Sequence, residues 1–187
     1  RNARRRSQRS QTWRGIALTN TGPQPGRLEG DPKLQAWGPV GAGPSTKLNI
    51  WLTHGGNYFT SDPGPTTVDI AAGQSAWFAL STGSAYGSAL VVVDRVSIII
   101  GPTPGSSSGH VDVAVSMGAS SRPGQAIPVT VSAFAGGLPQ VLGSSTSTTP
   151  RPSTPATTSP AATCISSQLR PSLGAAGPAA GTSIVPI

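Results

Sequence analysis

The stretch His110-Val-Asp-Val-Ala-Val-Ser116 decides the fold. Val111, Val113 and Val115 recur every second residue, and Asp112 and Ala114 fall between them. A period of two belongs to a strand with one buried face and one wet face, so Asp112 is expected to point at water. A second stretch, Ile127-Pro-Val-Thr-Val-Ser-Ala-Phe134, repeats the pattern with Ile127, Val129, Val131 and Ala133 on one side. Its Pro128 has no N–H to give, which restricts that strand to an edge or to a position where no donor is required.

The rest of the chain reads the same way. Strands are expected at Arg14–Asn20, Lys33–Trp37, Thr46–Thr53, Thr67–Ile70, Ser75–Ser81 and Ala89–Ile100, with His110–Ser116 and Ala126–Phe134 completing eight. Turn chemistry separates them: T-G-P-Q-P-G, G-P-V-G-A-G-P, S-D-P-G-P, A-A-G-Q, G-P-T-P-G-S-S-S-G and S-S-R-P-G-Q. Glycine supplies 24 residues and proline 19 of the 187, while only 10% are charged. Such a chain lacks material for long helices, and its short apolar runs are rich in Val, Ile and Thr. The expected fold is an all-β, antiparallel β-sandwich of immunoglobulin-like type. Its core is expected to come from Leu18, Leu34, Ile50, Leu52, Ile70, Phe78, Leu80, Val91, Val93, Ile98, Val113, Val129 and Val131. Trp51 and Trp77 are expected to anchor it, because a tryptophan between strands buries on the order of 200 Å².

Charge and composition divide the chain. The formal charge is +7, yet Arg1, Arg4, Arg5, Arg6, Arg9 and Arg14 supply six positive charges in the first 14 residues with no acid among them. Residues 1–13 therefore read as a disordered basic arm, and residues 14–138 as the sandwich domain. From Ser144 to Thr163, 16 of 20 residues are Ser, Thr or Pro. That composition cannot bury enough apolar surface to offset its ordering entropy, so 139–163 reads as a linker or stalk, the kind of stretch that also accepts O-linked sugars. Ordered-looking sequence resumes at 164–187. The most apolar run, Ala89–Ile100, is broken by Asp94 and Arg95 and is too short to cross a bilayer, which takes about 20 residues. The basic start is not followed by the apolar stretch of a secretory signal. Cys164 is the single cysteine, so it has no intrachain disulfide partner.

Two longer stretches carry a resemblance. Ile16-Ala-Leu-Thr-Asn-Thr-Gly-Pro-Gln-Pro-Gly-Arg-Leu-Glu-Gly-Asp-Pro-Lys-Leu34, followed by Val68-Asp-Ile-Ala-Ala-Gly-Gln-Ser-Ala-Trp-Phe-Ala-Leu80, resembles a family of actinobacterial domains of unknown function. Those are exported or lipid-anchored envelope proteins built on an immunoglobulin-like sandwich. Ala17–Gly22, Leu28, Gly30, Pro32, Gly73 and Ala76 match its pattern. Two departures stand out. Gly26 occupies the place of the family's second cysteine, and the opening cysteine element, which Cys164–Ile187 resembles, follows the first body instead of preceding it. A truncated tandem, a shifted reading frame and a permuted domain each account for that order. Residues 164–187 thus read as the first strand or strands of a second copy. In a permuted arrangement Ser166–Leu173 fills the place of the missing first strand, in its own chain or in another molecule. The resemblance implies an extracytoplasmic location at the cell envelope.

No catalytic, metal or cofactor-binding set emerges. His54-Gly-Gly56 and Gly105-Ser-Ser-Ser-Gly109 mimic parts of a hydrolase site, but a nucleophile elbow needs a strand-to-helix turn beside a parallel sheet. His54 and His110 lack further ligands at zinc spacing. The acids Glu29, Asp31, Asp62, Asp69, Asp94 and Asp112 are scattered, and Gly41–Lys47 lacks the Gly-Lys-Ser/Thr order of a phosphate loop. Two binding readings remain. In the first, the chain is a non-enzymatic module of unknown ligand displayed on its stalk, the resemblance implies the envelope location, and Trp37 with Tyr58 and Phe59 is the expected aromatic platform for a glycan or protein ligand. Alternatively, Arg1, Arg4, Arg5, Arg6, Arg9 and Arg14 contact phosphates, as the arms of capsid proteins do, and the partner is nucleic acid.

Overall fold

The structure is a computed structural model that describes residues 11–39, 42–56, 61–65, 67–83, 89–101, 109–122, 124–137, 162–163 and 166–177. Its strands are β1 Gln11–Asn20, β2 Gly26–Glu29, β3 Lys33–Pro39, β4 Ser45–Lys47, β5 Ile50–His54, β6 Thr67–Ile70, β7 Ser75–Gly83, β8 Ala89–Ile100, β9 Gly109–Ser121, β10 Ile127–Val131, β11 Ala162–Thr163 and β12 Leu169–Gly177. One 3₁₀ turn, Ser166–Gln168, precedes β12, and the described residues contain no α-helix. The fold is all-β. Three open sheets pack on one another, in the orders β12-β1-β7-β10-β5, β4-β3-β8-β9 and β11-β2-β6.

Alternation built the core as expected. On β9, Val111, Val113, Val115 and Met117 are buried and the residues between them are exposed. They join Leu34 and Ala36 of β3 and Val93, Val96 and Ile98 of β8, and Ile16, Leu18, Phe78, Leu80, Val129 and Val131 complete the same cluster from the five-stranded sheet. Phe78 meets Phe134 edge to face at 5.7 Å. Of the expected core residues, Ile50, Leu52 and Val91 are only partly buried. Between the sheets, Gly118 O accepts hydrogen bonds from Thr82 Oγ1 (2.7 Å) and Thr12 Oγ1 (3.1 Å).

Several expectations are corrected. The strand expected at Thr46–Thr53 is two strands in two different sheets: Leu48 is buried between them and donates its N–H to Ala36 O at 2.9 Å. Trp51 is 66% exposed rather than an anchor. It lies on the edge strand β5, where Ile50 and Leu52 take the inner side and leave the residue between them facing out. The pairing is not uniformly antiparallel, because β10 runs parallel to β5 and β11 parallel to β2. Pro128 is not on an edge strand. Its neighbour Ile127 donates to Asn49 O on the β5 side, and the ladder with β7 begins only at Val129, so Pro128 sits where no donor is required. At the front of the chain, β1 begins at Gln11 inside the expected arm. Trp13 is 2% exposed there, and burying so large a ring is enough to order the residues around it.

At the other end, β12 pairs antiparallel with β1 from Asn20↔Leu169 to Trp13↔Gly177. Of the expected segment Ser166–Leu173, only Leu169–Leu173 lies in this edge strand, which runs on to Gly177, while Ser166–Gln168 forms the turn before it, and the pairing is within one chain. The turn joining β1 to β2 is fixed by Asn20, which is fully buried. Its Nδ2 donates to Gln24 O (2.8 Å) and Ile70 O (3.0 Å), and its Oδ1 accepts from Gly22 N (2.9 Å). Its backbone carbonyl accepts from Gly73 N at 2.7 Å, where a φ of 77° favours glycine.

Arg27 and Asp69 face each other across β2 and β6, with Nε donating to Oδ1 at 2.7 Å and Nη2 to Oδ2 at 3.2 Å. The hydrogen bond from Arg27 is the main reason that the Asp69 carboxyl titrates below its ordinary range, and burial opposes it more weakly. A depressed carboxylate stabilises the fold above its unfolded pKa, near 4, and that contribution disappears as pH falls through the lower folded value. Asp69→Asn is expected to lower the melting temperature slightly at pH 7, with the gap to the wild type closing below about pH 4. Thermal melts across pH 2–7 check this, and an unchanging gap would refute it.

Candidate functional site

The outward face of the β3–β8–β9 layers collects the polar groups that the inner face rejects. In β8 the buried residues run Val93 and then Val96, three apart, and the register with β9 slips between Val93 and Arg95. This irregularity lets two successive charged residues, Asp94 and Arg95, avoid the core together. Asp94 Oδ1 accepts from Ser45 Oγ at 3.0 Å. Arg95 lies in line with Trp37 on one side and Ala114 on the other, and in the next row Gln35, Ser97 and Asp112 are opposite one another.

These rows make one connected network. The guanidinium of Arg95 lies over the Trp37 ring, 4.5 Å from its centre, and Nη1 donates to Asp112 Oδ2 at 3.1 Å. Trp37 Nε1 donates to Ser97 Oγ at 3.1 Å, and Ser97 Oγ donates to Asp112 Oδ1 at 2.6 Å. His110 Nε2 stands 4.0 Å from the same Oδ1. Each group holds its neighbour, so the indole plane and the guanidinium plane are locked rather than free to rotate. Beside them is a depression of about 230 Å³ lined by Gln35, Trp37, Ser97, Ile99, Gly109 and His110. It is smaller than the roughly 300–1,000 Å³ of pockets that engulf a whole drug-sized ligand. A group of that size enters it only in part, leaving the remainder on the sheet surface.

The Ser97 hydroxyl donates to the Asp112 carboxylate, and His110 lies on that carboxylate rather than on the hydroxyl. No group of three or more His, Cys, Asp or Glu side chains able to hold a metal occurs among the described residues.

Of the residues singled out in the sequence, Trp37 is in the site, half-buried beneath Arg95 rather than an open platform. Tyr58 and Phe59 lie outside the described residues, as do Arg1, Arg4, Arg5, Arg6, Arg9 and Cys164. Arg14 is part of β1, and its Nη2 donates to Ser116 O at 3.4 Å. Arg95, Ser97, His110, Asp112 and Gln35 were not singled out as a set. Their local signal is two polar pairs spaced by two, Arg95 with Ser97 and His110 with Asp112, each facing out of an apolar strand. What joins them is cross-strand register, which no local pattern contains.

No family model, curated protein or solved structure matches the chain. No helix of the described residues is long and apolar enough to cross a membrane.

Proposed function

We propose that the chain is a non-catalytic, immunoglobulin-like β-sandwich module, exported to the cell envelope and carried on its Ser/Thr/Pro-rich stretch, that binds a glycan on the outward face of β3, β8 and β9. One observation carries this reading: Trp37, Arg95, Ser97 and Asp112 are locked together beside a shallow depression on an open sheet face. Sugars offer alternating C–H patches and hydroxyls, and they are recognised by a rigid aromatic edge beside fixed donors and acceptors. The limited volume fits a terminal or branching sugar whose neighbours run along the surface. The envelope location rests on the resemblance of Ile16–Leu34 and Val68–Leu80 to exported actinobacterial domains.

Titration calorimetry against a panel of neutral and uronate-containing soluble polysaccharides tests the reading. At least one is expected to bind, and Trp37→Ala and Asp112→Asn are each expected to weaken it by about tenfold or more, the equivalent of one lost charged or aromatic contact. Glu29→Gln, in β2, is expected to leave affinity unchanged. Silence across the panel, or full affinity in Trp37→Ala, would refute it. If single-stranded RNA binds instead, with affinity falling steeply with salt, the partner is nucleic acid and Arg1, Arg4, Arg5, Arg6, Arg9 and Arg14 are the contact residues.

A further inference from the structure

We propose that the edge of β1 opposite β7 is a strand-acceptor site, and that its occupant, residues 162–177, exchanges between two copies of this chain to give a reciprocal dimer. Three features make the edge a site rather than a chance pairing. Leu169 inserts at one end of the ladder and is 1% exposed, whereas Arg170, Ser172 and Leu173 remain at the surface. Gly174 packs so closely on Trp77 that a β-carbon there would stand 2.5 Å from Cζ3 of the ring. At the entry, Gln168 O accepts from both the N–H (2.7 Å) and the Oγ1 (3.0 Å) of Thr21, and Ser166 packs directly against Gly109. The acceptor therefore selects a leucine, then five positions later a glycine, within an extended segment. Peptide binding to a sheet edge works in this way, with backbone ladders for affinity and alternate side-chain pockets for specificity.

A second copy of the chain is the partner, because it carries the segment that satisfies every one of these contacts. The same segment also reaches the three-stranded sheet, where β11 pairs in parallel with β2. Its attachment to the body permits exchange: between Gly137 and Ala162 lie 24 residues, which span up to about 80 Å when fully extended. Closed and exchanged forms make identical contacts and differ in the cost of closing that loop, which grows only slowly with length. A connector of this length sets an effective local concentration in the millimolar range. Closed monomers are thus expected at micromolar protein, and exchanged dimers after unfolding and refolding near 1 mM.

Register supplies the test. Thr19 and Arg170 face each other in the ladder. Two full-length chains are made in a Cys164→Ser background, one with Thr19→Cys and one with Arg170→Cys. After co-refolding and oxidation, a disulfide-linked heterodimer is expected at ~1 mM, with at least ~10-fold lower yield at ~10 µM. The chain carrying both cysteines is expected to link within itself at low concentration. Failure of that internal link would remove the acceptor, and an internal link without any heterodimer would remove the exchange. The unsubstituted chain, free of any folding defect from the cysteines, is tested alongside: light and ¹⁵N-labelled copies refolded together should give mixed-mass dimers by native mass spectrometry. Dimers of neither kind at ~1 mM overturn the proposal.

Discussion

Asn20→Ala is expected to lower the unfolding free energy by at least about 3 kcal/mol in urea denaturation. An unpaired buried polar group costs about 1–3 kcal/mol, and this change strands the Gly22 N–H and removes donors from Gln24 O and Ile70 O. Asn20 is fully buried, and water cannot take over its buried bonds with Ile70 O and Gly22 N without opening the turn, whereas the bond to Gln24 O is only part-buried. Asn20→Asp separates the contributions. The carboxylate still accepts from Gly22 N, but it donates to neither carbonyl and places a charge in the interior, so it is expected to be at least as damaging as alanine at pH 7 and to recover partly in acid, where a protonated carboxyl donates once. Equal loss at all pH values in the aspartate variant would mean that donation to Gln24 O and Ile70 O is not what matters. This links sequence to fold directly. In Leu18-Thr-Asn-Thr-Gly22, the leucine enters the core, the asparagine ties the turn to β6, and the glycine packs against Gln168 of the C-terminal segment.

That motif also shows what was legible and what was not. Alternation on β9 and β10 identified their inner faces, since a period of two is local and a one-residue slip would expose every valine at once. Apolar content alone failed at Trp51: its neighbours Ile50 and Leu52 already occupied the inner side, and burial on an edge strand depends on whether anything covers it. It failed at Leu48 as well, where a run that reads as one strand crosses from one sheet to another. β2 went unseen because Gly26-Arg-Leu-Glu29 is four residues set between two turn signals, too short to display a period. The candidate site was legible in halves. Asp112 was expected to face water and does, but its partners Arg95 and Ser97 lie 17 and 15 residues away and meet it only through the β8–β9 register. Asp94 and Arg95 read as an interruption of an apolar strand; the slipped register at that point makes them a surface pair.

Removing residues 144–187 is expected to lower the melting temperature by roughly 10 °C and to turn a monomer into an aggregating species. Leu169 is 1% exposed, and returning such a side chain to water forfeits about 1.5–3 kcal/mol. The ladder from Asn20↔Leu169 to Trp13↔Gly177 and the two bonds from Thr21 to Gln168 O are lost with it. At roughly 2–8 °C per kcal/mol for domains in this size range, the sum reaches the stated shift. Aggregation follows from geometry more than from energy. Without β12, β1 becomes an unpaired edge of the five-stranded sheet, and its Ile16-Ala-Leu-Thr stretch carries no charge to discourage edge-to-edge pairing. Leu169→Asp in the full chain keeps the backbone available while placing a charge in the leucine's pocket, and it should reproduce most of the thermal loss with less aggregation. Scanning calorimetry and light scattering on the three proteins distinguish the cases. A shortened chain that stays monomeric and melts within 2–3 °C of the full one would mean that β1 tolerates an open edge and that residues 162–177 are a passive attachment. A large loss in both variants would mean that the sheet beginning at Gln11 is completed only by residues more than 140 positions away.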